Sequence, residues 1–141
     1  MSSLLGLDFG EKRVGIAVSD EMQILAEPLT VIEFRGRKQL LGELQKLVEA
    51  YKVHEIIVGL PKTLKGEIGP AAQKIMGHVE WFQPHFPQKW ILWDERLSTQ
   101  EVEKFLIAAD VRRDRRKEVR DQLAAQRILQ NYLDYLRTKK G

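Results

Sequence analysis

A chain of 141 residues with 43% hydrophobic and 30% charged side chains has the make-up of an ordinary globular protein, and it can bury roughly two-thirds of its unfolded surface around one core. It contains no cysteine, which excludes a disulfide framework, a thiolate zinc site and a cysteine nucleophile. The formal net charge of +3 permits a polyanionic partner without requiring one, and no apolar run approaches the roughly 18 residues that span a bilayer.

The opening segment MSSLLGLDFG has no basic region and reaches an acid at Asp8, so it does not read as a secretory signal. With the missing cysteines, this fits a reducing, cytoplasmic setting. Ser3 to Phe9 is a short apolar run that closes on Asp8. Arg13 to Ser19 alternates around Val14, Ile16 and Val18, and Gly10 and Glu11 lie between the two runs, which predicts a β-hairpin. A third strand is expected over Ala26 to Glu33, with Pro28 marking an edge or an irregular start.

Leu40, Leu41, Leu44, Leu47, Val48 and Tyr51 then recur at helical spacing. His54 to Leu60 is a compact β-branched run suited to a buried parallel strand, stopped by Pro61. Lys62 to Gly69 reads as a glycine-containing loop. Pro70 fits the first position of a helix through Ala72, Ile75, Met76, Val79 and Phe82. Trp90 to Trp93 is a further strand, ending at Asp94. Ser98 and Glu101 form a capping box ahead of Val102, Phe105, Leu106 and Ala109. Arg112 to Lys117 is too charged to pack and predicts a loop or the start of a helix. A last helix, opened by Asp121, carries Ala124, Ala125, Ile128, Tyr132 and Tyr135. The pattern βββαβαβαα implies an α/β fold: a mixed five-stranded sheet, its first three strands antiparallel, with helices on both faces. No repeat or linker divides residues 1–141, so one domain is expected.

Three acidic groups fall where such a fold can gather them. Asp8 ends the first strand, Asp94 and Glu95 end the last, and Asp121 shares a helical stripe with 124, 125, 128, 132 and 135. That phase turns Asp121 towards the sheet, where a bare carboxylate is costly and needs a cation or donors. Open sheets bind ligands at strand ends, and an all-oxygen set suits Mg²⁺ or Mn²⁺; two such ions about 4 Å apart cleave phosphodiesters in many enzymes. Taken singly, each acid has a plainer reading. Asp8 could be a turn residue, Asp94 or Glu95 could pair with Arg96, and Asp121 could sit in a first turn stabilised by the helix dipole.

GLDFGEKRVGIAVSD (6–20), IIVGLPKTLKGEIGP (56–70), DERLST (94–99) and DQLAAQRILQNYLD (121–134) resemble, in order and spacing, the motifs of the YqgF/RuvX family. The resemblance spans nearly the whole chain. It implies a ribonuclease H-like fold related to Holliday junction resolvases, and a nuclease that processes the 5′ end of pre-16S rRNA in ribosome biogenesis. It carries over Asp8, Glu95 and Asp121 as catalytic, metal-holding residues, with Asp94 as an auxiliary. Lys65 departs from the family pattern, and Pro61 and Lys62 depart from that of the junction resolvases. Lys65 stands where family members often have an acidic residue or asparagine before the glycine. Pro61 and Lys62 stand where junction resolvases place an acid, so Glu95 would take over that role.

Basic residues flank every proposed site element: Lys12 and Arg13 in the hairpin, Lys62 and Lys65 in the loop, Arg96 after the acids, and Arg112, Arg113, Arg115 and Arg116 before Asp121. They are the expected phosphate contacts, although the last group alone also reads as a solvated charge run. The tryptophans at 81, 90 and 93 are expected in the core, and His54, His78 and His85 have no metal-ligand spacing. The expected partner is nucleic acid, an rRNA precursor, with ribosomal particles as a further one. No membrane partner is expected, and the expected state is a monomer or a homodimer. The rival readings are a DNA junction resolvase, a nucleotide-binding module resembling half of the actin and sugar-kinase superfamily, and a non-catalytic rRNA-binding assembly factor.

Overall fold

The computed structural model describes residues 3–61, 67–94 and 113–140; in the last helix, side chains are described for residues 123–138. Five strands form a single mixed sheet: β1 (Ser3–Phe9), β2 (Arg13–Ser19), β3 (Ala26–Glu33), β4 (Val53–Leu60) and β5 (Lys89–Asp94). Their order is β3-β2-β1-β4-β5, with β1 antiparallel to β2 and parallel to β4. The expected meander and parallel strands are therefore present. β3 is an edge strand, as Pro28 required, and its register slips between Ile16 and Ala17 where Pro28 pairs. A bulge at that point lets the chain accommodate a residue without an amide donor.

Among the described residues, three helices cover the sheet: α1 (Arg37–Ala50), α2 (Pro70–Phe82) and α3 (Arg113–Lys140), with a short 3₁₀ turn at Gln83–His85. α1 follows Gly36, whose φ of 145° only glycine adopts readily. α2 starts on Pro70, where a missing amide donor costs nothing. The apolar stripes of α1 and α2 bury Leu40, Leu44, Val48, Ala72, Ile75, Val79 and Phe82 against Leu5, Leu7, Phe9, Val14, Ile16, Ile56 and Val58. The alternate strand positions face the other way. Leu4, Ala17 and Ile57 pack there under Ala125, Ile128, Leu129, Tyr132 and Leu133 of α3. Trp90 is buried, and Trp81 and Trp93 are partly buried against these clusters, as expected for core tryptophans.

The helix ends differ from the sequence reading in instructive ways. Tyr51, Met76 and Tyr135 share the helical spacing of the core yet are exposed, and Leu129 and Leu133 are buried instead. Tyr51 caps α1, beyond the last turn that reaches the sheet. α3 begins at Arg113, eight residues before Asp121. Asp121 does not open the last helix, so the first-turn dipole explanation for it fails. Arg113 to Lys117 form the start of this helix, the second of the two readings the sequence allowed. A charged run holds helix when it extends from a well-packed one, since propagation is cheap once a helix is nucleated. The capping box at Ser98 and the segment after it lie outside the described residues.

Candidate active site at the carboxyl ends of the strands

β1 and β4 run side by side, but their continuations leave in opposite directions. β1 turns back through the hairpin into β2, and β4 continues through α2 into β5. Such a switch point leaves a crevice outside the carboxyl ends of the strands, the usual place for a ligand in an open α/β sheet. Asp8 stands at its edge.

Alternation along β1 puts Leu5, Leu7 and Phe9 on the α1/α2 face and Leu4 on the α3 face, so Gly6 and Asp8 also face α3. Asp8 pairs with Gly15 on β2. On its other side the β1–β4 register, with Leu7 opposite Val58, brings it beside Gly59. Gly59 in turn pairs with Trp93. The half-buried Asp8 carboxylate thus has a glycine on each neighbouring strand of its own face. Neither neighbour has a side chain to occupy the space beside it. The sequence reading missed both glycines, although their place in the 6–20 and 56–70 motifs was the available signal.

The direction of α3 follows from two glutamines. Gln126 donates to the Ala26 carbonyl (3.0 Å), while Gln130 accepts from the Ala26 amide (2.8 Å) and donates to the Ile24 carbonyl (3.0 Å). α3 therefore runs towards the start of β3. Because β3 and β1 are parallel, α3 runs antiparallel to β1. Gly6 lies against Leu129 and the Ala125 carbonyl. From Ala125, one turn back along α3 is about 6 Å. From Gly6, two residues forward along β1 is about 6.6 Å. The backbone at Asp121 consequently comes over the level of Asp8.

Asp94 behaves differently. It pairs with Leu60, whose side chain belongs to the α1/α2 core, so the two share that face. Asp94 is two strand spacings from Asp8, about 10 Å, and on the opposite side of the sheet. The structure does not bring it to Asp8 as an auxiliary acid. The strand-end position was right, but the period of two separates the carboxylates.

Among the described residues, Arg13 is the basic side chain on the face of Asp8 in the adjoining strand. It faces α3 diagonally across from Asp8, roughly 7–8 Å along an antiparallel ladder. It is half-buried, and its Nη1 is buried without a hydrogen-bond partner. Its cross-strand neighbour Glu33 is held by Arg35 at 2.6 Å. Lys12 is exposed in the hairpin. Its carbonyl accepts from Phe34 (2.8 Å), and the turn closes with the Gly10 amide donating to the Arg13 carbonyl (2.8 Å). Glu95, Lys62, Lys65, Arg96 and Arg112 lie outside the described residues. Arg113, Arg115 and Arg116 occupy the first turn of α3, with their side chains outside the description. Among the described residues no three histidine or acidic groups cluster as metal ligands, and no helix is long and apolar enough to cross a membrane.

Residues 2–135 match the family model described as RuvX, Holliday junction resolvase. A Thermoanaerobacter pseudethanolicus protein named as a candidate pre-16S rRNA nuclease is 45% identical over 137 residues, covering 96% of this chain and 99% of that protein. A protein of the same name from Desulforudis audaxviator is 42% identical, covering 93% of each. Among solved structures, Thermus thermophilus RuvC in complex with a Holliday junction substrate superposes with a TM-score of 0.61 at 13% identity, covering 100% of this chain and 98% of that one. Fowlpox virus resolvase with Holliday junction DNA gives 0.57 at 14%, covering 95% and 98%. At those identities the likeness is one of fold, and it agrees with the ribonuclease H-like sheet expected from sequence. The family match over nearly the full length settles the kinship: the chain is a member of the RuvX family.

Proposed function

We propose that this chain is a divalent-metal-dependent nuclease that hydrolyses phosphodiester bonds at the 5′ end of precursor 16S rRNA during ribosome biogenesis in the cytoplasm. The observation that carries the nuclease reading is Asp8, set between Gly15 and Gly59 at the switch point with the backbone of Asp121 above it. The rRNA substrate is favoured by relatives at 42–45% identity over almost the whole chain that bear that name.

The donor chemistry fits hard cations. The proposed ligands Asp8, Glu95 and Asp121 offer only carboxylate oxygens, and the chain has no thiol. Glu95 is the acid that the 94–99 motif supplies to this set. The Asp121 position falls in helical phase with the buried Ala124, Ala125 and Ile128. Mg²⁺ or Mn²⁺ ions held there, in a two-ion arrangement, would acidify the attacking water and neutralise charge on the leaving oxygen. The chain's own task is to fix the carboxylates on one rigid face and to keep the flanking space clear for a phosphate. Arg13, beside Asp8, would meet a phosphate oxygen. Lys12, Lys62, Lys65, Arg96, Arg112, Arg113, Arg115 and Arg116 would steer and seat the backbone without reading sequence.

The test is a cleavage assay with Mg²⁺ or Mn²⁺ on a 5′ segment of precursor 16S rRNA, linear DNA and a four-way DNA junction. Wild type is compared with Asp8→Asn. Metal-dependent RNA cleavage that Asp8→Asn loses by more than about 100-fold is expected, since even second-shell changes at metal sites cost 10–100-fold. Cutting confined to the four-way junction would replace this reading with a resolvase. RNA binding with no cutting would replace it with an assembly factor.

A further inference from the structure

The carboxylate side of the crevice has a counterpart on the other face of the sheet. At the same strand ends lies a pocket of about 240 Å³ lined by Phe9, Glu11, Pro61, Ala71, Lys74 and His78, among others. We propose that this pocket binds one unpaired nucleobase of the RNA strand whose backbone is engaged at Asp8, a proposal that rests on the nuclease reading above.

Position is the first argument. Phe9 follows Asp8 directly, and alternation sends the two side chains to opposite faces. A packed layer is about 10 Å thick, so a strand crossing the tips of β1 and β4 can set a phosphate on one face and a nearby base on the other. Both places belong to one switch-point crevice.

Size and chemistry agree with that occupant. The volume falls below the roughly 300–1,000 Å³ typical of pockets for larger organic ligands, and it suits a single heterocycle. Phe9, Pro61 and Ala71 supply apolar surface, while Lys74 and Glu11 supply a cation and a carboxylate. A nucleobase presents the same combination, with apolar faces and an edge carrying both donors and acceptors. The His78 wall is held on two sides. Its ring stacks on Phe9 (centroids 5.2 Å, 16° between planes), and its Nδ1 accepts from Arg37 Nε at 3.3 Å. That acceptor role leaves the imidazole hydrogen on Nε2. Arg37 is itself seated over the Trp81 ring at 5.8 Å. A base inside a duplex is stacked and paired, so the pocket selects unpaired nucleotides, as sequence-tolerant RNA enzymes commonly do.

The experiment uses the full chain carrying Asp8→Asn and a ten-nucleotide single-stranded RNA with 2-aminopurine placed at successive positions. Binding is followed by fluorescence with a fully paired duplex of the same sequence as control. Quenching at one position is expected. Ala71→Trp, which plugs the pocket from an exposed position on α2, should abolish that quenching. It should weaken single-strand binding by about tenfold or more and leave duplex binding unchanged. Ala71→Leu, a smaller plug, should give an intermediate loss. If both plugged proteins quench and bind single strands like the parent, the pocket proposal is overturned. Equal losses on single strand and duplex would overturn it too. The readout does not depend on cleavage. A wild type that cuts no RNA while the quenching pattern holds would sink the nuclease reading and leave the base pocket standing.

Discussion

Gly6 and Leu129 are in contact so close that any side chain at position 6 would force α3 or β1 to move. A Cβ built on Gly6 would meet the Leu129 Cβ at 2.8 Å and the Ala125 carbonyl oxygen at 3.2 Å. This is the contact that sets the height of α3 over β1, and so the distance between the backbones that carry Asp121 and Asp8. Gly6→Ala should destabilise the protein by about 1–3 kcal/mol, the usual cost of overpacking a tight core. It should also reduce cleavage at temperatures where the variant is still fully folded, because the helix must lift. Gly42, inside α1, has nothing within 4 Å of its virtual Cβ. Gly42→Ala should therefore raise stability by about 0.5–1 kcal/mol and leave cleavage alone. Thermal melts and cleavage rates on the two variants check both halves. Equal behaviour would mean that the Gly6 contact does not position the site.

Two adjacent acids, Asp94 and Glu95, are expected to differ in their weight in catalysis. Asp94 shares the face of Leu60, opposite Asp8, while Glu95 is the next residue in the chain. Glu95→Gln should cut the metal-dependent rate by more than about 100-fold, and Asp94→Asn by less than about tenfold, the lower end of what outer positions at metal sites cost. Comparing the two rates at saturating Mg²⁺ decides it. A larger loss for Asp94→Asn would assign the ligand role to the other acid.

These two cases also mark where the sequence was legible. All five strands follow from apolar runs bounded by residues such as Gly10 and Pro61, because strand boundaries are set by local chemistry. Acids at strand ends were visible for the same reason. The opposite faces of Asp8 and Asp94 were not, because facing depends on pairing Leu60 with Asp94 and on which helices cover which side. The start of α3 was misplaced because Arg113 to Lys117 carry no apolar stripe to show helical period. The glycine flanks Gly15 and Gly59 become meaningful only once register places them beside Asp8. His78 was given no role, since its stacking on Phe9 and its bond from Arg37 join residues far apart in the chain.

Arg13 and the basic first turn of α3 should differ in how they act on nucleic acid. Arg13 sits beside Asp8 with a buried Nη1 that has no hydrogen bond to lose. Arg13→Gln should lower the cleavage rate by about tenfold, the scale of one charge-assisted hydrogen bond to a phosphate, with little change in melting temperature. Arg115→Ala with Arg116→Ala should instead weaken binding and flatten its salt dependence. Two phosphate contacts at about 0.7–0.9 each would reduce the slope of log K against log salt by about 1.4–1.8. Binding titrations at several salt concentrations read the slope. An unchanged value would show that these arginines meet solvent and not the backbone.

His78 gives the fold a pH dependence of predictable sign. Burial, then the charges of Arg37 and Lys74, hold its pKa below the ordinary 6.5. The folded protein therefore resists protonation at a site that the unfolded chain protonates freely. Between the depressed folded value and 6.5 the unfolded state binds more protons, so stability rises with pH across that window. The contribution is fully present above 6.5 and is lost as the pH falls through the folded value. The imidazole that accepts from Arg37 on one side and stacks on Phe9 on the other would have to become a cation beside two others. Melting temperature should drop more steeply in wild type than in His78→Gln between about pH 7.5 and about pH 5, above the range where carboxylates titrate. Glutamine keeps an acceptor for Arg37 but has no proton to gain. Parallel melting curves for the two proteins would show that His78 titrates alike in the folded and unfolded chains.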